Sequence, residues 1–145
     1  MQQNDFLKSL DQPRIVEAIA SAEKLTSGEI RVHVQPRARG EIREVAERTF
    51  ERLGMTKTAL RTGVLLFIAC EEQKFTILGD RGINEKVPFG FWDAIAAKLR
   101  ERFKAGEYTD GIVDAIHAAG EQLRTYFPRA DDDIDELAND INVEH

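Results

Sequence analysis

Val64 to Cys70 is an unbroken apolar run, rich in branched and aromatic side chains, between Gly63 and the polar stretch Glu71-Glu72-Gln73. A run this short, bounded by turn residues, predicts a central strand buried on both faces. Lys74 to Leu78 is a second short run, so the two should form a hairpin. The second strand of that hairpin stops at Gly79-Asp80-Arg81-Gly82. Two glycines there predict a sharply turned backbone with positive φ, which holds Asp80 at a strand end. Glu29 to Gln35 behaves differently. Ile30, Val32 and Val34 alternate with Arg31, His33 and Gln35. Strict alternation predicts a strand with one buried face, nearer the edge of the sheet than Val64–Cys70, with His33 on its polar side.

Helical periods fill the rest. A short helix is expected over residues 4–10, with Phe6, Leu7 and Leu10 as its apolar points. Asp11 then caps a second helix that has Pro13 in its first turn. Its stripe is Ile15, Val16, Ile19, Ala22 and Leu25 (or Ala20), and it ends near Thr26-Ser27-Gly28. Glu41 to Leu53 is a third helix, with Gly54 as its C-terminal cap. It connects the first strand to the second, which permits a crossover and a parallel pairing. Ile83 to Gly90 is expected as a loop around Pro88. Phe91 to Ala105 places Phe91, Ile95, Leu99 and Phe103 four apart, one continuous contact row. A further helix starts at Thr109 or Asp110 and runs to about Phe127, where Pro128 stops it. Asp131-Asp132-Asp133 would cap a last short helix, Ile134 to Ile141, in an acidic tail that can equally fray. The pattern as a whole predicts an α/β fold: a three-layer α/β/α sandwich, a small mixed sheet with helices on both faces. One domain spans residues 1–128, and 129–145 is its acidic tail.

Composition narrows the function. A chain of 145 residues is one domain's worth. It buries about 70% of its unfolded surface and needs no disulfide or metal to fold. A net charge of −6 disfavours nucleic-acid binding, which requires a basic footprint. No apolar run approaches the roughly 20 residues of a membrane span. The start of the chain lacks the pattern of a signal peptide. A cytoplasmic monomer is expected. The lone cysteine, Cys70, belongs to the core strand as a small hydrophobe. Several chemistries have no signature. There is no GxxxxGK[ST] phosphate loop and no GxSxG elbow. His33, His117 and His145 are scattered and offer no zinc spacing. Position 76, six after Cys70, is threonine rather than the arginine of a thiolate phosphatase loop. Asp131 to Asp135 begins like a calcium loop, but Glu136 and Asn142 stand where glycine and glutamate are required.

Chain direction suggests where a site assembles. With the first two strands parallel and the third antiparallel to the second, Thr26, Glu29, Arg61 and Asp80 converge on one rim of the sheet. The following loop adds Asn84 and Glu85, and the next helix begins beside Asp93. Carboxylate and carbonyl oxygens without imidazole or thiolate suit a hard cation such as Ca²⁺ or Mg²⁺. The candidate ligands are Glu29, Asp80, Asn84, Glu85 and Asp93. A plainer reading stands beside this one. Glu29 or Asp80 pairs with Arg61 or Arg81, Asp80 bonds its own turn, and Asp93 is a first-turn helix acid.

Five stretches carry a family resemblance. They are Thr26-Ser-Gly-Glu-Ile-Arg-Val32, Phe50-Glu-Arg-Leu-Gly-Met55, Arg61-Thr-Gly-Val-Leu-Leu66, Gly79-Asp-Arg-Gly-Ile83, and Phe103-Lys-Ala-Gly-Glu-Tyr108 with Gly111-Ile112. In this order and spacing, across residues 5 to 128, the chain resembles the TPM domain, the family of thylakoid-lumen acid phosphatases and related bacterial proteins. The resemblance implies an α/β sandwich and divalent-cation binding, often calcium, at acidic loops. It implies weak phosphatase activity in some plant members, and roles in photosystem repair or membrane-protein maintenance. Many members are exported and carry a transmembrane tail. This chain shows neither and is more similar to a free-standing cytoplasmic bacterial branch.

Three functions follow for comparison. The first is a cation-binding interaction or stress-maintenance module without catalysis. The second is a weak metal-assisted acid phosphatase, a phosphomonoesterase. There the ion would polarise the phosphoryl group and Arg61 or Arg81 would clamp the phosphate. The third is a protein-binding module anchored by Phe89 and Trp92, set against core packing of at least two of Phe89, Phe91 and Trp92.

Overall fold

The central apolar run forms β2 (Gly63–Ala69), buried at every position. In the computed structural model, which describes residues 1–129 and 141–144, β2 lies inside a four-stranded sheet of order β3-β2-β1-β4. β1 (Glu29–Gln35) pairs with β2 in parallel, from Glu29 opposite Gly63 to Gln35 opposite Ala69. β3 (Lys74–Gly79) returns antiparallel, from Val64 opposite Gly79 to Ala69 opposite Lys74. Cys70 falls just past the strand, buried in the tight turn Cys70–Glu72.

The helices are α1 (Gln3–Ser9), α2 (Gln12–Glu23), α3 (Ile42–Arg52), α4 (Arg81–Asn84), α5 (Phe91–Lys104) and α6 (Tyr108–Tyr126). Asp11 caps α2 by accepting from the Arg14 N–H at 3.2 Å, and Pro13 sits in the first turn as its missing donor permits. Alternation along the strands divides the core in two. Ile30, Val32, Val64, Leu66 and Ile77 pack with α1, α2, α5 and α6. Leu65, Phe67, Ala69 and Leu78 point the other way and pack with Val45, Ala46 and Phe50 of α3. Helices therefore cover both faces, an α/β/α sandwich as the pattern predicts. Among the described residues no helix is long and apolar enough to cross a membrane.

Three expectations need correction. First, β1 is not a one-sided strand near the edge. Asn142–Val143 form β4 and pair with His33 and Val34 in parallel, so β1 is interior. His33 is fully buried rather than on a solvent face. Its Nε2 meets Gln35 Oε1 at 2.8 Å, its Nδ1 meets Asn142 Nδ2 at 2.7 Å, and its ring stacks on Phe67. A polar row can be buried when its hydrogen bonds are met, which alternation alone does not reveal. Second, Arg81–Asn84 is a helical turn, not part of a loop. Third, Gly79 and Gly82 do not have positive φ; the positive-φ glycines are Gly40, Gly54, Gly90 and Gly106. Of the expected helix Ile134–Ile141, residues 134–140 lie outside the described residues. Asp131 to Asp133 lie outside them as well.

The buried imidazole gives a pH dependence. Burial lowers the His33 pKa below its ordinary 6.5, and the charges of Arg52 and Arg31 add to this. The Gln35 hydrogen bond and Glu144 oppose it. The folded state thus binds this proton less readily than the unfolded chain. His33's contribution is fully present above about pH 6.5 and is lost as pH falls towards the folded value. Protonation also places a hydrogen on Nδ1 facing the Asn142 amide donor, which weakens the β4 pairing. Urea denaturation at pH 7.5 and pH 5.5 should show a larger acid loss for the native chain than for His33→Gln. Equal losses would assign the pH dependence to other groups.

Candidate functional site

The strand register brings the predicted rim together. Glu29, Gly63 and Asp80 form one row across β1, β2 and the end of β3, and the Asp80 N–H donates to Gly63 O at 2.8 Å. Glu29 and Asp80 are both buried. Between them Gly63 leaves room for Met55 and Phe50: a Cβ there would lie 3.0 Å from Met55 O and 3.2 Å from the Phe50 ring.

Arg61 chooses Asp80. Its Nε donates to Oδ2 at 2.6 Å and its Nη2 to Oδ1 at 2.9 Å, a two-pronged ion pair. Such a fork matches carboxylate geometry and is stronger than a single point contact. Hydrogen bonding to the Asp80 carboxylate raises the Arg61 pKa. Asp80 Oδ1 also accepts from the Arg81 N–H at 2.8 Å, which caps α4. The backbone of Arg61 is left-handed at φ 57°. Two bonds hold it there: its N–H donates to Thr58 O at 3.2 Å, and its carbonyl accepts from the Gly82 N–H at 2.9 Å. The buried Thr58 hydroxyl accepts from the Thr62 N–H at 3.0 Å. Thr58 was not a candidate in the sequence. A single threonine three residues before an arginine is too common to mark a site.

The other candidates divide by exposure. Asn84 Nδ2 donates to Gly79 O at 2.8 Å, and Asn84 Oδ1 accepts from Trp92 Nε1 at 2.7 Å. This amide ties α4 to the first turn of α5. Glu85, Asp93 and Arg81 are exposed. Thr26 turns away from the rim: its hydroxyl donates to the Leu123 and Phe127 carbonyls at the end of α6. Phe91 and Trp92 are half-buried against the core, whereas Phe89 is completely exposed. Core packing of two of the three aromatics holds.

The donor set is oxygen-rich, as a hard cation requires, but its best oxygens are engaged. Both Asp80 oxygens accept from Arg61 and the Asn84 oxygen accepts from Trp92. Among the described residues no group of three or more His, Cys, Asp or Glu side chains gathers to hold a metal ion. A cation at Asp80 would compete with the guanidinium for the carboxylate. Cys70 offers no ready nucleophile, since burial pushes its thiol pKa up.

The family model of the TPM domain matches residues 1–122. The chain belongs to the TPM domain family. Among solved structures, the NMR structure of the BA42 protein from the psychrophilic bacterium Bizionia argentinensis sp. nov. superposes with a TM-score of 0.85. It is 44% identical, over 92% of each chain. No curated protein sequence matches. The five stretches that suggested the family include Arg61 and Asp80, whose ion pair connects the segment before β2 to the cap of α4.

Proposed function

We propose that this TPM domain is a non-catalytic binding module, and that a divalent cation, Ca²⁺ or Mg²⁺, regulates its rim by competing with Arg61 for Asp80. The observation that carries the reading is the two-pronged Arg61–Asp80 pair at the convergence of β1, β2, β3 and α4. A carboxylate already compensated by a movable guanidinium can change partner without leaving a buried charge bare. Glu85 and Asp93 would supply outer oxygens, with water completing the shell as hard cations allow. Asn84, the last residue of α4, directly precedes Glu85 and bonds Trp92 beside Asp93, so ion capture would bear on the Asn84–Trp92 bond. Phe89, wholly exposed on the turn before α5, is the apolar anchor for a protein partner.

Calorimetric titration with CaCl₂ and MgCl₂ tests this. The native chain should give saturable heat in the weak range, a Kd of about 0.1–1 mM. The double variant Glu85→Gln/Asp93→Asn should bind less tightly. Arg61→Gln should bind more tightly, because the competitor is gone. No heat from the native chain with its fold intact would end the proposal. So would an Arg61→Gln variant with weaker binding. Chelator-sensitive hydrolysis of a phosphate ester, lost in Asp80→Asn, would replace the module reading with an enzymatic one.

A further inference from the structure

Beside β3, the edge strand of the sheet, aromatic rings from four separate elements meet. Phe103 of α5 lies edge-on to Phe6, Phe75 and Tyr108, with centroids 6.3, 5.5 and 5.3 Å away. These four rings line a cavity of about 430 Å³. Its floor is buried: Ile68 and Cys70 are 1% and 5% exposed. Its mouth is cationic. Lys74, Arg100 and Lys104 line it and are exposed. The Arg100 guanidinium carbon sits 5.8 Å above the Phe75 ring, which holds that cation at the wall. The nearby carboxylate of Glu101 lies 3.8 Å from Lys104. Three cations around one opening reverse the sign of a chain whose net charge is −6.

From this juxtaposition we infer a ligand site for a small amphipathic monocarboxylate. The aromatic or short aliphatic body enters among the rings, and the carboxylate stays at the mouth with Arg100 and Lys104. The volume is within the roughly 300–1,000 Å³ usual for small-molecule sites, at the small end. Burying the apolar body supplies affinity, and the basic mouth sets the charge that is accepted. A cationic ligand would meet three like charges. A neutral one would gain only the apolar term. The Cys70 thiol at the floor stays protonated through burial, so the association is non-covalent. This site is separate from the Asp80 rim and does not depend on the cation proposal.

The test is a ¹⁵N-resolved NMR titration with three probes of one shape: 3-phenylpropionate, 3-phenylpropanol and 3-phenylpropylamine. Saturable shifts should centre on the amides of Lys74, Phe75, Phe103 and Tyr108. The carboxylate should bind about two- to fivefold more tightly than the alcohol, the gain an exposed charge pair gives. The amine should not saturate. Arg100→Gln/Lys104→Gln changes only exposed side chains, and should bring the carboxylate to the alcohol's affinity. Cys70→Met extends the floor into the cavity and should weaken the carboxylate and the alcohol alike. If that variant does not fold, the surface double variant still decides. No saturable shift with the carboxylate up to about 10 mM would overturn the site. Equal binding of all three probes, or a double variant with native affinity, would overturn its charge selectivity and hence the ligand class.

Discussion

Gly82→Ala is expected to destabilise the protein by about 3 kcal/mol, at the upper end of overpacking costs. A Cβ at this position would lie 2.0 Å from Leu60 O and 2.6 Å from Arg61 O. Both are backbone atoms, so no rotamer change relieves the clash. The first turn of α4 must lift off the Leu60–Arg61 segment. That lift breaks the Gly82 N–H bond to Arg61 O. It also removes one of the two bonds that hold Arg61 left-handed, and so misdirects the guanidinium that engages Asp80. Two readouts check this. Urea denaturation gives the loss of stability, and the NMR signal of the Arg61 Nε–H, shifted by its carboxylate bond, should move toward that of a free arginine. Gly90→Ala is the control. Gly90 has φ 79° and nothing within 4 Å of its would-be Cβ. Its cost is purely conformational, about 1–2 kcal/mol for an L residue in that region. If Gly82→Ala costs no more than Gly90→Ala, the close approach of α4 to the Arg61 segment is not what holds the rim.

The same position shows what a sequence makes legible. The pair of glycines around Asp80 was visible, and so was the likelihood of special backbone. Whether a glycine serves positive φ or close approach is decided by another segment, here Leu60–Arg61, far back in the chain. The strands were readable because their apolar periods are local. β1 has the bounds its alternation gives, and the hairpin turns where Glu71-Glu72-Gln73 says it should. Chain direction then brought Glu29 and Asp80 to one row without any knowledge of contacts. The choice of Arg61 over Arg81 as the partner of Asp80 was not readable, since both are near the carboxylate in an extended picture. β4 left no trace either. Two residues have no period, and Asn142 announces itself only through the imidazole that it meets. His33 was misplaced for that reason: the side chains that satisfy it are Gln35, two residues away, and Asn142, more than a hundred away.

Phe67→Ala is expected to cost about 3–5 kcal/mol, the usual range for truncating a fully buried phenylalanine. Phe67 is completely buried in the centre of β2, in the smaller of the two cores, under α3. α3 packs over it, and its lateral neighbours, His33 and Thr76, are fixed on strands opposite it in the register. Strand neighbours cannot slide in to fill the space without breaking the ladder, so the cavity persists and the cost stays high. A second consequence separates this variant from an ordinary core truncation. The ring stacks on His33, with centroids 5.2 Å apart and planes 21° from parallel. Burial is the largest cause of the lowered His33 pKa. Removing the ring takes away part of that burial, so the His33 pKa should rise back toward 6.5. The acid loss of stability attributable to His33 should shrink accordingly, because the folded and unfolded values approach one another. Following the His33 ring protons through a pH titration in both proteins checks the direction. An unchanged or further lowered value in Phe67→Ala would mean that α3 and β4, not the stacked ring, keep the imidazole dry.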